Sequence, residues 1–179
     1  MRSLLAATLS MAAVLAISSC GVGSGAEVQL AGDRSGGGIF VGVENADVGV
    51  GDPVTLGDVK VCATGSGDAE VTSVEAPEGS GVTVEDFAVY PGWSGVGSQW
   101  QSLSSTGYDS ESGAVTARCE KGEVADLLIQ VTRTTDASAV AESLTVHWKS
   151  DRGEGSFEAG LGVYLCSEGD INSDTCPEV

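Results

Sequence analysis

Basic residues are scarce in this chain: eight lysines and arginines stand against 26 aspartates and glutamates, a formal net charge of −18. A surface so negative repels nucleic acid backbones and anionic headgroups, which excludes both as partners, and the acidity reads as a solvated, solubilising surface. Histidine is almost missing as well, with His147 alone, and no two cysteines have CxxC spacing, which removes the usual ligand sets for zinc. No GxSxG, HExxH or phosphate-binding glycine loop occurs. His147 has the one side chain with an ordinary pKa near neutrality, yet alternation sets it opposite Leu144, Val146 and Trp148, on the solvent side with Thr145 and Lys149. A hydrolase built on two carboxylates needs only spatial proximity, so 26 acids carry little information about one. With no acid, base and nucleophile set in view, the chain is expected to be non-catalytic, without cofactor or metal.

Long apolar runs are also lacking. Leu4 to Ile17 is uncharged, but it is broken by Ser10 and stopped by Ser18-Ser19, short of the roughly 18 consecutive apolar residues that a membrane span requires. Preceded by Arg2, it has the form of an export signal. The tetrad Ile17-Ser18-Ser19-Cys20 that closes it resembles the lipobox of bacterial lipoproteins. That resemblance implies a signal peptide at 1–19, cleavage before Cys20, and a diacylglyceryl anchor on the Cys20 thiol as the link to the membrane. The implied location is the extracytoplasmic face of the cell membrane. Two acyl chains matter because one gives only marginal, reversible binding. An ordinary secretory peptide that happens to end near a cysteine is the competing reading.

Processing would remove Arg2 and no acid, moving the charge from −18 to −19. The remainder is one domain in size, and a hydrophobic fraction of 41% is enough to offset its ordering entropy in a compact core. Four cysteines remain: Cys62, Cys119, Cys166 and Cys176. In an exported chain they read as two disulfides with three possible pairings, of which Cys62–Cys119 and Cys166–Cys176 are favoured. Residues 20–38 are glycine-rich and read as the lipidated cysteine and a flexible tether, interrupted by Glu27-Val-Gln-Leu30, which is either a stray strand or nothing.

From 39 to 179, short alternating segments recur between clusters of Gly, Pro, Asp and Ser. Period-two patterns predict strands at 39–43, 54–63, 70–76, 82–89, 114–119, 124–134, 139–149 and 156–166. Within 124–134, Leu127, Ile129 and Val131 point inward, with Asp126, Gln130 and Thr132 outward beside Leu128. No helical repeat of comparable length appears outside the leader, which predicts an all-β, antiparallel sandwich of seven or eight strands. The run Asp52-Pro-Val-Thr-Leu-Gly-Asp-Val-Lys-Val-Cys62, the mid-chain Cys119, and the closing Leu-Thr-Val-His-Trp-Lys149 and Leu-Gly-Val-Tyr-Leu-Cys166 resemble Ig-like sandwich domains of GC-rich Gram-positive bacteria. The resemblance implies a fold and an address, and no activity. A Cys–Trp–Cys arrangement of the antibody type is missing, so the inter-sheet disulfide does not carry over.

The least ordinary stretch is 90–108. Tyr90, Trp93, Trp100 and Tyr108 fall within it, among glycines and serines that no core strand would contain. Long loops in compact domains are usually functional or disordered. An exposed Trp93 and Trp100 beside Gln99 and Gln101 would suit a sugar, a peptide or a protein surface. The plainer alternative is that the loop folds back to cover an open end of the sandwich, Leu103 helping. Asp170-Ile-Asn172-Ser-Asp174 has the D-x-N-x-D opening of a calcium loop, but Thr175 replaces the glycine at its sixth position and the sequence stops at Val179 before a twelfth ligand. It reads as a polar turn. The expectation is a lipid-anchored interaction or accessory module of the cell envelope, with a glycan or small-ligand receptor and a lipoprotein hydrolase as rivals.

Overall fold

The computed structural model describes residues 25–30, 39–42, 48–108, 112–167, 170 and 176. The leader with Cys20, and most of the acidic turn around Asn172, lie outside the described residues. The architecture is all-β. One sheet has the order β1 (Glu27–Leu30), β3 (Val54–Thr64), β7 (Ala125–Arg133), β5 (Val82–Pro91), with β6 (Ser98–Gln99) added alongside β3. A second runs β10 (Gly153–Ala159), β9 (Leu144–Ser150), β4 (Ala69–Glu75), and a third runs β2 (Ile39–Gly42), β11 (Leu161–Leu165), β8 (Ala139–Ala141). Among the described residues every strand-to-strand pairing is antiparallel except β2 with β11.

The core follows from alternation interrupted three times. Val54 and Leu56 of β3 face inward at even positions, whereas Val59, Val61 and Ala63 do so at odd ones. The change of parity falls where three residue steps on β3 oppose two on β7, a bulge between Leu56 and Val59 with Asp58 at φ 68°. An inserted residue rotates the following side chains to the opposite face, so the bulge keeps one apolar face continuous. β5 makes the same switch between Val84 and Phe87, and β4 between Val71 and Val74, each at its own register shift. Inward residues of all three sheets, among them Leu127, Ile129, Val146, Leu144, Val163 and Leu165, enter one buried cluster.

Four elements differ from expectation. Glu27–Leu30, placed by composition inside the tether, pairs in register with β3 from Thr64 to Val61 and buries Val28, so the folded part includes it. The segment 114–119 is not a strand: Val115 bonds to Ala69 on β4 while Ala117 accepts from Ala63 on β3, so it crosses between two strands and ladders with neither. The patterns at 139–149 and 156–166 each divide in two, at 142–143 and at Gly160, because their halves pair in different sheets. Both favoured disulfides are present: Cys62–Cys119 fastens β3 to a single 3₁₀ turn at Cys119–Lys121, and Cys166 is joined to Cys176.

Candidate functional site

Loop 90–108 folds back over the outward face of the β3–β7–β5 sheet and is fastened at both ends. At its start Gly92 bonds to Val124 and accepts from the Asp126 amide (3.0 and 3.1 Å), a parallel bridge to β7 at the point where the antiparallel pairing of β5 ends. The Asp126 side chain, fully buried, accepts from the Ser94 backbone N–H at 2.5 Å and pairs through its other oxygen with the Lys60 ammonium. Lys60 also reaches Asp58 on the bulge, at 3.3 Å. Further along, Gly57 donates to the Gly97 carbonyl at 2.8 Å, and β6 pairs with Thr55 and Leu56. A Cβ at Gly57 would stand 2.0 Å from the Val96 carbonyl oxygen, so only glycine permits this approach. At the far end the Leu103 N–H donates to Gln130 Oε1 (2.8 Å), and Leu103 is fully buried with Ala88, Val96 and Leu128 in a second, smaller core.

The four aromatics separate into two roles. Tyr90 and Tyr108 meet edge to face with centroids 4.8 Å apart, and the Tyr108 hydroxyl donates to the Ser94 carbonyl at 2.8 Å. These two rings hold the loop shut. Trp93 is 73% exposed and Trp100 44%, with Tyr90 next at 38% although its ring is engaged by Tyr108. The two tryptophans stand at different levels of the sheet. Trp93 follows Gly92, bridged to Ala125, which faces Val61, whereas Trp100 follows Gln99, which faces Thr55. Six residue steps of β3 separate these levels, at most about 20 Å at the ordinary strand rise. Trp100 lines a cavity of about 210 Å³ with Val48, Asp52, Pro53 and Val54. Asp52 accepts the Gly49 N–H at 2.8 Å across its turn.

The other candidates are accounted for by their surroundings. His147 lies on the solvent side as expected, 3.6 Å from Glu75 Oε2. Asp170 accepts from the Ser138 hydroxyl at 2.7 Å, and the remaining acids of its cluster lie outside the described residues. Among the described residues no group of three or more His, Cys, Asp or Glu side chains converges, and no helix is long and apolar enough to cross a membrane. Alternation left Lys60, Ser94, Asp126 and Gln130 without a role. The signal for them was Leu128, an apolar side chain on the supposedly wet face of β7, which needs a cover and finds it in Leu103. No protein-family model matches the chain, and no curated protein and no solved structure matches it.

Proposed function

We propose that this chain is a lipid-anchored extracytoplasmic protein whose body, an Ig-like β-sandwich, is a non-catalytic interaction module of the cell envelope with loop 90–108 as its contact surface. The observation that carries the reading is the pair of exposed tryptophans on a loop locked to the sheet, at levels at most about 20 Å apart along β3. A sugar ring or small ligand engages one of them. A protein partner covering about 800 Å², a patch on the order of 30 Å across, reaches both. Ordering such a loop before binding removes part of the entropic cost of association, and exposed tryptophans are the favoured anchors of protein interfaces. Two cystines suit an oxidising compartment, in keeping with the lipobox-like leader. The apolar cluster shared by the five-stranded and β10–β9–β4 sheets supports the sandwich reading.

Affinity capture from a membrane extract, with wild type, Trp93→Ala and Trp100→Ala in parallel, tests the proposal. A reproducible protein partner that both substitutions weaken is the expected result. Recovery unaffected by either, or quenching of tryptophan emission by envelope glycans that Trp100→Ala alone abolishes, overturns it, the second outcome in favour of a receptor. Fatty-acid labelling that persists in Cys20→Ser would remove the anchor.

A further inference from the structure

We infer that the cavity beside Trp100 takes an alkylammonium group, the end of a lysine side chain offered by a basic segment of the protein partner. This deepens the reading of loop 90–108 and rests on it. Of the five lining residues, Val48 and Val54 are buried in the core beneath, so Pro53 and the Trp100 indole supply the exposed carbon for a methylene stem and Asp52 a carboxylate. An ammonium over an indole is drawn to the ring quadrupole, most strongly where water is partly displaced. The lysine stem buries its methylenes while the charged head stays at the mouth. Asp52 is suited to receive that head: one oxygen accepts the Gly49 N–H, and no lysine or arginine among the described residues forms an ion pair with it. The buried guanidinium of Arg133 donates to the carbonyls of Val48, Asp136 and Ala137 rather than to Asp52. A volume of about 210 Å³ admits a four-carbon amine. The net charge of −18 draws cationic segments toward the whole molecule and rejects anionic ones.

The test uses the purified full-length protein and n-butylammonium chloride as probe, with n-butanol and sodium butyrate as neutral and anionic counterparts and sodium chloride to hold ionic strength. The readout is the set of indole N–H resonances of the three tryptophans. A saturable shift of the Trp100 signal with butylammonium, absent with butyrate and weak with butanol, is expected. Asp52→Asn keeps an oxygen for the Gly49 N–H and removes only the charge, so it should weaken binding about fivefold, the equivalent of about 1 kcal/mol for one charge pair near 4 Å in water. Trp93→Ala should leave it unchanged. No shift of the Trp100 resonance, an equal response to butanol, or an unchanged affinity in Asp52→Asn overturns the inference. Partner capture that Trp93→Ala and Trp100→Ala weaken and Asp52→Asn does not would leave the interaction module standing without its lysine.

Discussion

Replacing Asp126 with asparagine keeps the shape of the side chain and removes its charge, which isolates the fastening of the loop. In the native protein one carboxylate oxygen receives the Ser94 N–H and the other the Lys60 ammonium, with the side chain fully buried. An asparagine has one acceptor oxygen. Whichever donor it serves, its amide NH₂ faces the other, so a buried donor is set against a donor. Breaking a buried pair by removing one partner costs about 3–5 kcal/mol. Lys60 retains some access to water and a second carboxylate, Asp58, at 3.3 Å, so the low end, about 3 kcal/mol, applies. For a domain of this size that lowers Tm by about 6–12 °C. Urea denaturation of Asp126→Asn, Lys60→Met and the double variant closes the cycle. The double variant relieves the clash between donors, so it should lose at least about 1 kcal/mol less than the two single losses combined. Hydrogen exchange at the Ser94 amide should quicken in Asp126→Asn before global unfolding does. A loss below about 1 kcal/mol, additivity of the two substitutions, or an unaltered Ser94 amide would refute the view that this pair holds the loop.

Two further outcomes follow from geometry. Removing both cysteines of the Cys62–Cys119 pair, which spans 57 residues, should lower stability by about 4 kcal/mol, against about 3 for the Cys166–Cys176 pair spanning 10; urea midpoints in the reverse order would show that chain entropy does not govern here. The Glu120 carboxylate accepts its own backbone N–H and that of Gly65, which hold its pKa below the ordinary glutamate range. A lowered folded value means a stabilising contribution that is complete above the unfolded pKa and is lost as pH falls through the folded one, so the advantage of wild type over Glu120→Gln should shrink on acidification, and a difference that stays constant between about pH 6 and pH 2 would contradict it.

Strand content was legible wherever one face is apolar. Leu144, Val146 and Trp148, and likewise Leu161, Val163 and Leu165, declare their strands by alternation alone, and the division at Gly160 escaped because the inward parity of Phe157 and Ala159 continues through it while the pairing partners change. β1 stayed one of two readings for the opposite reason: four residues in a glycine-rich stretch carry too little periodicity, and only the open edge of β3 makes them a strand. The bulges were hidden in plain parity, since Leu56 and Val59 cannot face one way on a regular strand. In the loop, composition singled out the aromatics but not their division into two tyrosines that close it and two tryptophans left outside. That division depends on what lies beneath. Ser94 and Asp126 are 32 positions apart, and only the fold brings them to one hydrogen bond.

Under the proposed anchor at Cys20, the register of β3 would set a stand-off from the membrane. Gly25 bridges Ser66 just beyond one end of the strand, whereas Pro53 and Val54 at the other end border the Trp100 cavity. Eleven residues of strand measure about 35 Å. From Cys20 to Gly25 the chain has five residue steps, a reach of at most about 18 Å. With Cys20 acylated, the turn at 65–68 would be kept close to the lipid headgroups while Trp100 is carried outward, so the height at which a partner is met is set by a rigid rod rather than by a fluctuating linker. Adding glycines ahead of residue 25 would loosen the tilt of that rod without changing which end meets the outside.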